Sequence, residues 1–153
     1  MAKPLSISSL DAHLGYWLRF LSNHVSHAFK LKVEAHDVTV AEWVVLRTLL
    51  ETGPVNPSQI AEKLGMTRGA ISKLVDRLIA KKLATCTHSK KDRRFQSIAL
   101  TAAGQKIVPI LAALADENDA EFFGHLGVSQ QDDLKKLLQE TVRRRALSGV
   151  PVD

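Results

Sequence analysis

Two helix signatures meet at a single glycine between Asn56 and Lys82, and any fold of this chain must accommodate them. Asn56-Pro57-Ser58-Gln59 supplies a cap, a proline at the first helical position and a glutamine able to bond back to the cap. Pro57–Leu64 then carries Ile60, Ala61 and Leu64 at helical spacing, and Gly65 ends it where positive φ is usually needed. From Met66 to Lys82 a second helix is expected, capped by Thr67, with Ala70, Ile71, Leu74, Val75, Leu78 and Ile79 as its buried stripe. At about 100° per residue, Gly69, Ser72, Lys73, Asp76 and Arg77 gather on the outer side. That face begins small and turns basic: small residues let a backbone lie close to another surface, and Lys and Arg suit phosphates. Short helix, glycine turn and second helix make a helix-turn-helix.

The following segment sharpens this. Leu83–Thr87 and Phe95–Leu100 read as two short strands, alternating or β-branched. Between them His88-Ser-Lys-Lys-Asp-Arg-Arg94 holds four basic residues in seven, which would repel one another without a polyanion nearby. A hairpin with a basic tip directly after such a helix is a wing. Charge agrees: the chain has a formal net charge of +5, yet nine basic and two acidic residues lie between Met66 and Phe95, so the excess sits in one stretch. That asymmetry points to a surface for a polyanion.

The flanks are helical and long. A helix is expected from about Ser8 or Ser9 to Glu34, with Leu10, Leu14, Trp17, Leu18, Leu21, Val25, Ala28 and Phe29 along one side. So long a stripe needs a partner, and a second subunit is a natural one. Thr39-Val-Ala-Glu42 is a capping box opening a helix that stops at Gly53-Pro54. Thr101 caps a helix from Ala102 to about Leu126, which Pro109 should bend. Ser129-Gln-Gln-Asp132 should cap a last helix whose apolar side is Leu134, Leu137, Leu138, Val142 and Leu147. With 153 residues, one globular domain extended by long helices is the expected size class. One cysteine excludes an intrachain disulfide framework, and neither a signal peptide nor a run of transmembrane length stands in the sequence. These features lead to an expectation of a cytoplasmic protein. There is no metal-ligand cluster of sufficient size, phosphate-cradling glycine loop or nucleophile elbow, so the reading is not an enzyme, with no cofactor and no bound metal.

Ile60-Ala-Glu-Lys-Leu-Gly, the run from Arg68 to Leu78 and the pattern Asp92-x-Arg94-x-x-x-x-x-Leu100-Thr101 together resemble the MarR family of winged-helix transcriptional regulators, and the likeness runs through nearly the whole chain. The resemblance implies a mainly α fold with a small β-hairpin wing. Residues 1–36 and 102–153 would form a helical dimerisation region, and residues 37–101 a winged helix-turn-helix. It implies a homodimer on a pseudo-palindromic double-stranded operator, usually a repressor that a small ligand or oxidation releases. Thr67, Arg68, Gly69, Ser72, Lys73 and Arg77 are the expected groove-facing residues, with Lys90, Lys91, Asp92, Arg93 and Arg94 in the wing. Asp92, a carboxylate among cations, would orient Arg94 for a minor groove.

Sensing is expected elsewhere. The peroxide-sensing relatives use a cysteine in the first helix, which has none here; Cys86 lies in a wing strand and reads as a small buried residue. His24 and His27 have the i,i+3 spacing of zinc ligands, an alternative that would make the protein metal-responsive. The favoured effector is a small aromatic acid. His13, Phe20, His24 and His27, with Trp17 beside them, flank the aliphatic stripe of the first helix, and Trp43 and Arg47 stand one turn apart on the second. Rings stack on a flat ligand, and His or Arg can meet its carboxylate. The competing use of that flank is packing against the other subunit. An effector-free architectural DNA-binding protein is the other alternative.

Overall fold

A computed structural model describes residues 6–92 and 95–148. Six helices and one hairpin follow in order: α1 (Leu14–Glu34), α2 (Val40–Thr52), α3 (Pro57–Leu64), α4 (Arg68–Ala80), β1 (Ala84–His88), β2 (Gln96–Leu100), α5 (Ala102–Phe123) and α6 (Val128–Arg144). The central helices start where their caps predict. Thr39 and Asn56 accept from the backbone N–H groups of Glu42 and Gln59, whose side chains return the bond to the cap residues. Thr67 accepts from the Ala70 N–H at 3.1 Å. Gly65 closes α3 with φ 63, ψ 30, the left-handed conformation that permits the tight turn into α4.

The core lies between α2, α4, the hairpin and the first half of α5. Val45, Leu46 and Leu49 of α2 meet Ile71, Leu74 and Leu78 of α4, Ile98 of β2, and Val108 and Leu111 of α5. Ile79, expected in the buried stripe, is instead 37% exposed at its edge. The hairpin is antiparallel with Cys86 opposite Ile98. Val55 exchanges two backbone hydrogen bonds with Ile98, 3.0 and 2.8 Å, so the base of the wing is pinned to the segment leading into α3. Cys86 is half-buried and packs against the core.

The end of α4 is joined to the start of α5. The Thr101 hydroxyl donates to the Lys82 carbonyl at 2.7 Å and accepts from the Gly104 N–H at 3.0 Å, while the Thr101 N–H donates to the Leu83 carbonyl at 3.1 Å. Gly104 is buried, and a Cβ there would strike the Leu83 carbonyl oxygen, so a glycine is needed for this approach. Further along, buried Asn118 of α5 donates to the Val25 carbonyl of α1 at 3.1 Å and accepts from Lys32.

Several boundaries differ from expectation, each for a local reason. The first helix does not begin at Ser8 or Ser9: Ser9 makes no side-chain cap bond, a single 3-10 turn covers Leu10–Ala12, and His13 is extended at φ −93, ψ 125. The Trp17 indole N–H ties that turn back by donating to the Asp11 carbonyl at 2.8 Å. α5 ends at Phe123 and continues through Pro109 without interruption. The last helix is not capped at Ser129: Gly127 takes the cap position, and Gln130 returns the bond to its N–H. Many apolar residues of the outer helices stay exposed among the described residues. Leu10, Leu14, Trp17, Leu18 and Leu21 are 41–81% exposed, as are Leu134, Leu137, Leu138, Val142 and Leu147 of the C-terminal part at 37–67%. No described helix is long and apolar enough to cross a membrane.

Candidate nucleic-acid interface

The outer face of α4 is built by periodicity. Burying Ile71, Leu74, Val75 and Leu78 leaves Thr67, Arg68, Gly69, Ser72, Lys73 and Arg77 exposed together. Gly69 is the second residue of the helix, and a Cβ added there would meet nothing within 4 Å. The fold therefore makes no demand for glycine at this position.

The wing stands beside this face. A cleft of about 780 Å³ opens between the start of α3, the first turn of α4 and the wing, lined by Asn56, Pro57, Ser58, Arg68, Ser72, Asp92, Phe95 and Gln96. It thus joins two expected α4 residues to one from the wing. Lys90 and Lys91 are exposed at the hairpin tip, Asp92 is half-buried, and Arg93 and Arg94 lie outside the described residues. The turn is closed by the Phe95 N–H to the Asp92 carbonyl at 3.0 Å and the Ser89 N–H to the Phe95 carbonyl at 2.9 Å. Phe95 and Ser58 are cleft residues that the sequence reading did not single out. Phe95 was passed over as a strand residue, although an aromatic ring bordering a basic loop was a usable signal.

Behind the face, Lys81 just past α4 reaches Glu42 at 2.9 Å. Glu42 is the buried member of the α2 capping box. Burial works to raise its pKa, but the Thr39 N–H, the hydrogen bond and charge of Lys81, and the charge of Arg77 outweigh it and hold the carboxyl below the ordinary value of 4.5.

The structure divides the expected effector residues. Trp17, Phe20 and His24 cluster with Tyr16: Trp17 and Phe20 centroids are 6.4 Å apart, and Phe20 and His24 are 4.7 Å apart. His24 and His27 are exposed, and His13 stands just before α1, at its N-cap position and without a side-chain cap bond. Trp43 packs on Phe29 at 6.4 Å, and Arg47 pairs with Glu51 at 3.1 Å. Among the described residues, no group of three or more His, Cys, Asp or Glu side chains is arranged to hold a metal ion.

Comparison with known proteins gives a family likeness over part of the chain. The MarR family model matches residues 36–94, from the end of α1 to the wing. Over that stretch the chain is similar to the MarR family. It has the winged-helix fold of these transcriptional regulators. The transcriptional repressor MdtR of Bacillus subtilis is 37% identical over 81 residues, 52% of each chain. A mutant E. coli MarR complexed with operator DNA superposes with a TM-score of 0.75 at 21% identity, covering 84% of this chain and 93% of that one. Bordetella bronchiseptica BpsR, whose DNA binding is regulated by 6-hydroxynicotinic acid, superposes at 0.76 with 22% identity, covering 89% and 97%. In that fold the β-hairpin is the wing, and α3–α4 the helix-turn-helix.

Proposed function

We propose that the protein is a homodimeric repressor that binds a pseudo-palindromic operator, with α4 in the major groove and the wing at the adjacent minor groove. The observation that carries this is the shared cleft of Arg68, Ser72 and Asp92. Ser72 and Lys73 would approach base edges, Arg68 and Arg77 bases or flanking phosphates, and Arg94, oriented by Asp92, the minor groove. Dimerisation through residues 1–36 and 102–153 is supported by the exposed apolar side chains of α1 and α6, which together exceed what single surface residues would need. Repression follows the similarity to MdtR, and operator binding follows the MarR complex.

A small aromatic acid is the proposed effector, on the analogy of BpsR and the ring cluster of Trp17, Phe20 and His24. Tyr16 brings a further ring to that cluster.

The test is a gel shift with DNA from upstream of the protein's own coding sequence, run against a scrambled duplex over a salt series. Preference for the upstream duplex, with affinity falling steeply as salt rises, supports the reading. Equal affinity for both duplexes assigns the protein to architectural binding. Sedimentation of the free protein checks the dimer.

A further inference from the structure

Lys81 is the first residue past α4, yet its side chain does not join the basic face. Its ammonium donates to the Asp37 carbonyl at 2.6 Å and to Glu42 Oε2 at 2.9 Å. Glu42 is 1% exposed, and the same oxygen accepts from the Thr39 N–H at 2.9 Å. One carboxylate oxygen therefore closes the start of α2 and holds the end of α4, across 39 residues of sequence. The neighbouring residue is also fixed. Lys82 is left-handed with φ 60, and its carbonyl accepts from the Thr101 hydroxyl. The exit of α4 is thus tied to α2 on one side and to α5 on the other.

An ion pair with one buried partner is a weak way to stabilise a fold, since apolar residues of similar volume often serve as well. What it adds is direction, because charge-assisted hydrogen bonds are short and angularly demanding. Base contacts have to be held within roughly half an ångström of their working geometry. Phosphate attraction is far more forgiving.

We propose that Glu42 and Lys81 are positioning residues for sequence reading: their part-buried pair sets the angle of α4 against the groove, and with it the discrimination between duplexes, without touching DNA. This rests on the DNA-reading function proposed above.

The wild type is first used to enrich a duplex from a random-sequence pool, with a scrambled duplex of equal composition as reference. Affinities for both are measured at one salt concentration for wild type, Lys81→Met, Lys81→Arg and the double variant Glu42→Gln/Lys81→Met. Circular dichroism checks each fold. Lys81→Met and the double variant are expected to lose at least about tenfold in discrimination, comparable to a lost bidentate base contact. Affinity for the scrambled duplex should change little. The double variant leaves no buried charge unpaired and keeps an acceptor for the Thr39 N–H, so it decides the matter if Lys81→Met alone fails to fold. Lys81→Arg keeps the charge-assisted bond and should retain most of the discrimination. A folded double variant with wild-type discrimination overturns the proposal. So do equal losses on both duplexes, which would make Lys81 a phosphate contact. Failure of the wild type to enrich any sequence is a separate result: it removes the DNA-reading function itself, and the positioning role with it.

Discussion

Gly69 offers the sharpest separation of folding from binding. It has ordinary helical geometry, since the positive-φ glycines among the described residues are Gly53 and Gly65. A Cβ would meet nothing within 4 Å. Replacing it with alanine should therefore stabilise α4 by about 0.5–1 kcal/mol, because glycine loses more backbone entropy on becoming helical. In a domain of this size that raises the thermal midpoint by roughly 1–4 °C. Binding should move the other way. The new methyl points out of the first turn of α4, beside Arg68 and Ser72, where the proposed groove contact is closest. Gly69→Val adds a branched side chain there, and a displaced helix loses about 1–3 kcal/mol of base contact, roughly 5- to 150-fold in operator affinity. Gly69→Ala should lose less. Calorimetry would follow stability, and fluorescence anisotropy with a labelled operator would follow binding at fixed salt. Wild-type operator affinity for folded Gly69→Val would refute the close approach of α4 to DNA.

Other expectations follow from single contacts. Arg68→Ala should cost about 1–3 kcal/mol on the operator and less on random duplex, measured by competition titration; equal costs would leave it as a positioning contact only. Gly104→Ala should destabilise by about 1–3 kcal/mol in urea unfolding, because its methyl would strike the Leu83 carbonyl. Glu42 has a lower carboxyl pKa folded than unfolded, so its contribution is complete above 4.5 and is lost as pH falls through the folded value. Stability should accordingly drop on acidification, and Glu42→Gln should flatten that acid limb in a denaturation series. Benzoate- or cinnamate-type acids should quench or shift Trp17 emission and release operator; no response in the wild type, with His24→Ala dissociating the dimer, would assign the aromatic flank to the subunit interface.

The local part of this fold was readable because its signals are local. Thr39, Asn56, Thr67 and Thr101 each act on a backbone N–H three residues on, and Gly65 answers a single φ requirement. The exposed face of α4 followed from periodicity alone. What failed to show were pairings set by tertiary packing. Glu42 was visible as the capping-box glutamate, but nothing in its neighbourhood names Lys81 as its partner. Gly104 was unremarked because only the return of α5 against Leu83 makes it necessary. The start of α1 was placed too early because Ser9 looks like a cap and makes no cap bond. Trp43 likewise meets Phe29 only through the packing of α2 on α1.

Those tertiary pairings also define how the outer helices and the DNA-facing elements are mechanically related. Asn118 fastens the middle of α5 to the Val25 carbonyl of α1, and Thr101 fastens its first turn to Lys82 and Leu83 at the exit of α4. The distance between these fixings is spanned by one helix, which carries Pro109 between them. α2 supplies a second connection, packing Trp43 against Phe29 near one end of α1 and holding Lys81 through Glu42. Two chains of contacts thus run from α1 to the end of α4 and converge on consecutive residues, Lys81 and Lys82. The wing joins at the same junction, since β1 begins two residues after Lys82. Coupling between a ligand on α1 and the reading of DNA needs a two-state element that both bias, and this junction is where such an element would have to act.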